Sequence, residues 1–442
     1  MSTKKLHLVS LGCTKNLIDS EVMLGKLKEY EITDDSTQAD LIIVNTCGFI
    51  ESAKQESLNT IFELDGTRKE ESVLVMAGCL SERYQDELKE GLENEVDIFT
   101  GVGDYDVIDK LVEEKRNQFS QKVFLADESN DRVVTGSSYH AYIKLSEGCN
   151  QVCSFCAIPA FKGKLHSRTL ESLVKEVTNL VKNGYTDFSF VSQDSSSYLR
   201  DLDIKNGLER LVEDVEKIEG IKTARILYLY PSTTSLDYIQ RVADSKKFHN
   251  YFDIPIQHIS DKMLKVMRRG AGKEKTLELL RAMRELPNSF VRTSFIIGHP
   301  EESESDFNEI VEFIREFCFD MINIFAYSDE EDTHSFDLES KVPDEVINDR
   351  VSILEEIIEE QRVENLQKYI GREIIAVIDG ESSEHEFLLS AKAIEWTPEI
   401  DGEIYINDKE IEQIEFSKPY RVKITDLVGD KLIGTILNRY KF

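Results

Sequence analysis

The amino-acid sequence predicts an α/β multidomain protein: an N-terminal parallel-sheet domain, a central partial (β/α)6 barrel of the TIM type, and a small antiparallel β-barrel at the C-terminal end. Short apolar runs alternate with stretches of helical spacing through most of the chain, the pattern of parallel strands joined by crossover helices. From residue 369 the pattern changes to short strands broken by Gly, Asp, Asn and Pro, which is that of a small closed sheet. At ~150 residues per domain, 442 residues allow about three cores. The expected units are 1–135, 136–368 and 369–442.

In the first unit, Leu6-His7-Leu8-Val9-Ser10, Leu41-Ile42-Ile43-Val44 and Val73-Leu74-Val75-Met76 read as buried strands with amphipathic stretches between them. Each is followed closely by a cysteine, in Gly12-Cys13, Thr46-Cys47 and Gly78-Cys79. The carboxyl ends of the strands of an open parallel sheet lie along one edge, where ligand sites form, so Cys13, Cys47 and Cys79 can converge there. Taken alone, this trio is compatible with a soft metal centre, a zinc site or three ordinary buried thiols.

After a polar linker, Asp127 to Arg132, six further strands are expected: His140–Leu145, Asp187–Val191, Ala224–Tyr230, Phe252–Ile256, Val291–Ile297 and Met321–Ala326. Helical runs separate them, for instance Leu170, Leu173, Val174, Val177, Leu180 and Val181, whose spacing marks one buried face. Six βα units in a row predict a barrel with its chemistry at the carboxyl ends of the strands. Helical periodicity from Glu345 to Tyr369 stops at Gly371, and Ile374–Ile378, Phe387–Leu389, Glu403–Ile406, Tyr420–Ile424 and Leu432–Leu437 then read as the strands of the small barrel.

Composition narrows the class. Apolar residues at 40% and charged residues at 31% describe a globular protein and exclude collagen, coiled coil and disorder. No apolar stretch approaches the ~18 residues of a membrane span, and Leu8 to Leu11 is too short for a secretory signal, so a cytoplasmic protein without a membrane partner is expected. In a reducing compartment seven cysteines favour metal or redox chemistry over disulfides. Fifty-three Lys and Arg against eighty-four Asp and Glu leave a net charge of −31, which repels polyphosphate and attracts basic partners. Between Glu373 and Glu415 there are thirteen acidic residues and two basic ones, Lys392 and Lys409, whereas an RNA-binding barrel would carry a basic groove with stacking aromatics. The small barrel is therefore expected to dock a basic protein.

The sharpest local signal is Gly148-Cys149-Asn150-Gln151-Val152-Cys153-Ser154-Phe155-Cys156, directly after the first barrel strand. Three thiolates in eight residues, Cys149, Cys153 and Cys156, force a tight loop around one soft centre and leave a coordination position open. A structural zinc site would be closed by a fourth ligand.

This C-x3-C-x2-C pattern, with Phe155 before its last cysteine, resembles the radical S-adenosylmethionine (SAM) superfamily. The resemblance implies a 4Fe-4S cluster on the three thiolates, S-adenosylmethionine on the open iron, and hydrogen abstraction by a cofactor-derived radical, chemistry beyond any side chain. With the N-terminal cysteine trio and a TRAM-like C-terminal barrel, almost the whole chain resembles the methylthiotransferases. That implies a second 4Fe-4S cluster on Cys13, Cys47 and Cys79, two SAM molecules per turnover, and a sulfur donor and an electron donor. Ser10-Leu11-Gly12-Cys13-Thr14-Lys15-Asn16-Leu17-Ile18-Asp19-Ser20-Glu21, Asn45-Thr46-Cys47-Gly48-Phe49-Ile50, Val191-Ser192-Gln193-Asp194, Tyr230-Pro231 and Asp253-Ile254-Pro255-Ile256-Gln257-His258 are similar to the RimO type, which methylthiolates an aspartate β-carbon in the twelfth protein of the small ribosomal subunit. The alternative within the family is a tRNA adenosine, the MiaB type, which typically has Gln-Asn at Gln193-Asp194. A non-enzymatic iron-sulfur or zinc scaffold is the alternative outside it.

The resemblance also implies cofactor contacts for Phe155, Gln193, Asp194, Ile296 and Gly298. Phe155 either stacks near the adenine or packs on the cluster loop, and Gln193-Asp194 either approach the SAM amino group or simply end a strand. Strand five is implied to border the adenine with its backbone, at Ile296, and Gly298 to permit close approach. The family wording there, Gly-Phe-Pro-Gly-Glu, is altered by His299 and Glu301, so His299 is expected to be a loop substitution. Lys162, Lys164 and Arg168 form a basic patch just after the cluster loop, which either balances the cofactor carboxylate or the substrate aspartate or, the favoured reading, is a solvated face; Lys262, Lys265, Arg268 and Arg269 are expected to be an exposed face. Cys318 is expected to be a buried thiol, and Trp396 the core anchor of the small barrel. No catalytic side chain is identified, since hydrogen abstraction needs no general base.

Overall fold

The computed structural model describes residues 3–382, 385 and 387–442. The first unit contains β1 (Lys5–Ser10), α1 (Thr14–Lys26), β2 (Glu31–Ile32), β3 (Leu41–Thr46), α2 (Glu51–Thr67), β4 (Val73–Gly78), α3 (Cys79–Arg83), α4 (Gln85–Gly91), β5 (Ile98–Phe99) and α5 (Ile108–Glu114). Its strands form an all-parallel sheet in the order β2-β1-β3-β4-β5. All six residues of β3 are buried, as expected of a central strand covered on both faces. Ser10 lies opposite Asn45 and Asn45 opposite Ala77, so the residues just beyond these three strand ends emerge level with one another.

The second unit starts with β6 (His140–Lys144), a two-strand ribbon of β7 (Ser146–Glu147) and β8 (His166–Ser167) enclosing α6 (Ile158–Lys162), then α7 (Leu170–Lys182) and β9 (Asp187–Val191). It continues with α8 (Gly207–Glu216), β10 (Thr223–Ile226), α9 (Leu236–Ala243), β11 (Phe248–Asp253), α10 (Asp261–Val266), α11 (Lys273–Arg284), β12 (Phe290–Ile297), α12 (Glu304–Glu316), β13 (Met321–Ala326) and α13 (Asp344–Gln367). Strands β6, β9, β10, β11, β12 and β13 are neighbours in that order and all parallel, forming the expected open barrel. Helix α7 begins at Thr169, whose side chain accepts from the Ser172 amide, and buries Leu173, Val177 and Leu180 against the sheet. Helix α12 starts with a reciprocal capping box between Ser303 and Asp306.

The third unit contains β14 (Glu373–Glu381), β15 (Leu389–Ala393), β16 (Ile404–Lys409), β17 (Lys418–Val428) and β18 (Lys431–Arg439), closed in the order β14-β15-β16-β18-β17. Four of its joints are antiparallel, as expected of the small barrel, while β16 and β18 pair in parallel. Its loop from Ile394 to Gly402 docks into the second unit, where Ile394 O accepts from the buried Arg225 guanidinium and Pro398 O from the Tyr142 hydroxyl. Trp396 is buried there beside Tyr369, as expected. One apolar core runs from the N-terminal sheet through Tyr142, Leu227 and Tyr251 into the small barrel.

Most strand limits shift by a few residues, and three of the shifts have a visible cause. β10 ends at Ile226, because Tyr228 takes a left-handed φ of 61° and turns the chain out of the ladder. β11 starts at Phe248 and ends at Asp253, before Pro255, which has no amide proton for the ladder. Phe387 lies in a turn and is exposed, and the strand expected there begins at Leu389; residues 383, 384 and 386 lie outside the described residues. Cys318 is exposed rather than buried: Phe313 and Phe319 are buried and pack with Phe317, leaving the thiol on the outer side. Among the described residues no helix is long and apolar enough to cross a membrane.

Candidate active site

The level strand ends of the N-terminal sheet bring the first cysteine trio together. Gly12 has φ of 82°, and a Cβ there would stand 2.7 Å from Cys47 Cβ, so only glycine lets the loop before α1 pass so close to the second cysteine. Cys13 is exposed at the start of α1, Cys47 is half-buried and Cys79 is buried at the start of α3. Burial pushes the Cys47 thiol up to about 11 and the Cys79 thiol up to about 12, and charge on Cys13 or Cys47 would push Cys79 further. Cys47 and Cys79, which burial makes hard to ionise, need a cation to hold them as thiolates.

The second trio follows β6 in a loop closed at Gly148, where φ is 76° and a Cβ would lie 2.2 Å from Lys164 O. Burial pushes Cys149 and Cys156 up to about 12 each, with Cys153 raising both further. The Cys153 thiol lies 3.3 Å from the Tyr230 hydroxyl and accepts from Arg269 Nη1 at 3.1 Å. Arg269 corrects the solvated reading: it is buried, donates to Pro255 O, and lies over the Tyr230 ring. The neighbouring Lys262, Lys265 and Arg268 are exposed, as expected. Among the described residues no three His, Cys, Asp or Glu converge tightly enough for a single metal ion. The donor chemistry of each trio fits a larger cluster, in which the thiolates bind separate irons.

Both trios flank one barrel mouth. α3, which begins at Cys79, packs on α6, which follows Cys156. Tyr228 and Tyr230 lie just past β10: Lys15, two residues after Cys13, places its Nζ 3.3 Å from the centre of the Tyr228 ring, while the Tyr230 hydroxyl meets Cys153. Between the trios lies a buried ionic quartet. Lys144 donates to Asp19 and to Glu147, and Lys162 sits 3.6 Å from Asp19 and 3.7 Å from Glu147. Burial pushes Asp19 up despite both lysines; at Glu147 burial also pushes up, but Lys144 and Lys162 outweigh it and hold the carboxyl low. Lys162 and Arg168 are thus buried, the latter paired with Glu176, and only Lys164 of that trio is exposed.

The residues implied as cofactor contacts surround the same mouth. Gln193 donates to Glu147, next to the cluster loop, and Asp194 accepts from Gln151 of that loop at 2.7 Å while capping a short 3-10 turn at Ser195–Ser197. Phe155 is half-buried and meets the His299 ring edge-on at 6.3 Å. The Ile296 amide donates to Gln257 O. Gly298 makes its close approach to Ile347 of α13, 2.3 Å from where a Cβ would stand. Gln193 Oε1, Gln257 Oε1 and Arg269 Nε are buried here without a hydrogen-bond partner, which marks the mouth as a place for a polar ligand.

A segment after β13 ties the two sides together. Glu330 is buried between Arg83 of α3, at 2.6 Å, and Lys54 of α2, at 3.1 Å. Five residues on, the Ser335 amide donates to Ser154 O inside the cluster loop, and Ser335 Oγ lies 2.7 Å from His299 Nε2. Burial lowers His299 to about 4, which makes it a neutral bridging group. Reading the sequence missed Lys15, Asp19, Lys144, Glu147 and Glu330. Local sequence does not mark them as buried: α1 buries Lys15, Asn16, Asp19, Ser20 and Glu21 and keeps no polar face for solvent, which the structure alone shows.

Three family models match parts of the chain. Residues 5–101 match the Uncharacterized protein family UPF0004, residues 143–314 the Radical SAM superfamily, and residues 370–437 the TRAM domain. The chain is 65% identical over 437 residues to the ribosomal protein uS12 methylthiotransferase RimO of Aliarcobacter butzleri, covering 98% of each chain. It is 61% identical to the enzyme of that name from Sulfurimonas denitrificans, covering 98% of this chain and 99% of the relative. Among solved structures, the radical S-adenosylmethionine methyltransferase TsrM of Kitasatospora setae shares the fold, with a TM-score of 0.53 at 18% identity over 74% of this chain and 75% of that one.

Proposed function

The chain belongs to the RimO family of ribosomal protein uS12 methylthiotransferases, and on that premise we propose that it attaches a methylthio group to the β-carbon of an aspartate in that ribosomal protein, in the cytoplasm. The observation that carries the reading is the pair of cysteine trios flanking one barrel mouth, where α3, which begins at Cys79, packs on α6, which follows Cys156. Cys13, Cys47 and Cys79 would hold one 4Fe-4S cluster, and Cys149, Cys153 and Cys156 the other. When bound, the clusters and S-adenosylmethionine supply what no side chain has: hydrogen abstraction from an unactivated carbon and a sulfur to be methylated and transferred.

The side chains of the chain itself position and shield. Arg269 places a positive charge against Cys153, and the Tyr230 hydroxyl lies on the same sulfur. Gln193, Asp194, Phe155, Ile296 and Gly298 would border S-adenosylmethionine, with Gln193 and Asp194 already oriented by Glu147 and Gln151. The buried quartet around Lys144 keeps α1 against β6, and so fixes one trio relative to the other. The three units 1–135, 136–368 and 369–442 would carry the sulfur-bearing cluster, the radical-generating cluster and the docking of the basic substrate, which the acidic small barrel attracts in preference to tRNA. A reductant and a sulfur donor must come from elsewhere.

The test is mass spectrometry of uS12 incubated with the anaerobically reconstituted protein, S-adenosylmethionine and reductant. One added methylthio group on an aspartate is expected, with about eight irons per chain for two clusters. Cys153→Ala is expected to abolish 5′-deoxyadenosine formation while keeping about half of the iron. Deoxyadenosine formation by that variant, or modification of tRNA instead of uS12, overturns the reading.

A further inference from the structure

We propose that Lys15 is the residue that binds the carboxylate of the substrate aspartate, and so selects that side chain; the inference rests on the reading above. Lys15 is 9% exposed and takes part in no ion pair among the described residues. Its ammonium sits on the face of the Tyr228 ring, 3.3 Å from the ring centre. A ring face attracts a cation but carries no net charge, so a buried lysine held this way lacks the anion that burial normally demands. The nearby carboxylate of Asp253 is engaged elsewhere: it accepts from the Tyr228 amide at 3.1 Å and lies 3.9 Å from Arg292.

Two further features make this place a receptor rather than a packing accident. Tyr228 is an aromatic residue held at φ of 61°, a backbone state that costs energy and persists where the surroundings impose it. The ring is half-buried and the neighbouring Cys13 is exposed, so a side chain from outside can reach the ammonium. Aspartate suits that position chemically. Its carboxylate is bonded directly to the carbon that is to be modified, so an ion pair at the carboxylate fixes the reacting carbon one bond away, between the trios. Lys15 is two residues from Cys13, whereas the second trio has a cation of its own in Arg269, next to Cys153. That division assigns Lys15 to the substrate and leaves Arg269 to the carboxylate of S-adenosylmethionine.

The experiment compares wild type, Lys15→Met and Lys15→Arg as anaerobically reconstituted full-length proteins. Equilibrium binding is measured without reductant against uS12 and against uS12 variants in which each aspartate in turn is replaced by Asn. Wild type is expected to bind the native protein about tenfold or more tighter than the Asn variant at one position, the position it modifies. Lys15→Met is expected to bind both forms with the weaker affinity, with iron content and S-adenosylmethionine affinity at wild-type values, and Lys15→Arg to keep part of the preference. Should Lys15→Met lose iron, Lys15→Gln is read by the same comparison. A preference for aspartate that survives removal of the ammonium overturns the inference. So does loss of S-adenosylmethionine affinity with that preference intact, which would assign Lys15 to the cofactor carboxylate. If wild type modifies no aspartate of uS12, the reading of the function falls, and the inference with it.

Discussion

Thiols buried beside other thiols ionise with difficulty, and this governs how the metal-free protein behaves. Cys79, pushed up to about 12 by burial, would present far fewer thiolates than an ordinary exposed cysteine at the same pH. Titration of the metal-free protein with a thiol reagent is therefore expected to show Cys79 among the slow groups and the exposed Cys13 and Cys318 among the fast ones. Arg269 places a hydrogen-bond donor on Cys153. Arg269→Met is expected to move the midpoint potential of the second-trio cluster to more negative values and to lower activity about 10–100-fold, as loss of an outer-shell partner commonly does. Potentiometric titration followed by EPR checks this, and an unchanged potential would show that the guanidinium does not influence the cluster.

At the scale of elements, the segment from Tyr327 to Lys341 works as a tie between the two sides of the mouth. Glu330→Gln would leave Arg83 and Lys54 facing a neutral group, and loss of one partner of a buried pair costs about 3–5 kcal/mol. A lowered denaturant midpoint, with release of S-adenosylmethionine cleavage from uS12 modification, is the expected outcome. The barrel strands carry a separate sensitivity to acid. His140 on β6 and His249 on β11 are lowered to about 4, chiefly by burial. A base lowered in the folded state is neutral there while the unfolded chain takes up protons below pH ~6.5, so stability is complete above that value and declines as pH falls towards 4. Each histidine contributes about 1.4 kcal/mol per pH unit to that slope. Replacing both by Asn is expected to flatten the fall of the melting temperature between pH 6.5 and 5 relative to wild type; parallel curves would refute the assignment.

The whole molecule is held together by a core that does not respect the three units. Trp396, on the loop of the small barrel, packs in the same cluster as Tyr251 and Phe290 of the central barrel. Trp396→Ala is expected to cost about 3–5 kcal/mol and to loosen the small barrel from the central one, read by limited proteolysis near residue 370. The acidic character of the small barrel is less uniform than its sequence suggests. Asp401 is buried 3.7 Å from Arg292, and Glu373 and Glu415 pair with Arg421 and Arg439, while Glu381, Asp408, Glu410 and Glu412 are exposed. Association with uS12 is accordingly expected to slow as salt rises from 50 to 300 mM, with a smaller change in the dissociation rate. A salt-independent association rate would remove the small barrel from the docking step.

Fold class, most strand positions and the tight C-x3-C-x2-C loop follow from local pattern, because apolar periodicity and ligand spacing are properties of contiguous residues, whereas the ligand role of the first trio follows only from the family resemblance. Gly12-Cys13, Cys47 and Cys79 could be placed at one sheet edge from the strand pattern, and the parallel register bears that placement out. Where a charge ends up is a different matter. Lys162, Arg168 and Arg269 carry the spacing of a solvated face, yet they are buried, since their partners come from remote stretches: Asp19 for Lys162, Glu176 for Arg168, and Cys153 with Pro255 for Arg269. Lys15 shows the limit most plainly. Only the meeting of α1 with the turn after β10 takes it out of water and leaves it without an ion pair among the described residues, because the cost of burying a charge is set by what surrounds it in space and not by its neighbours in sequence.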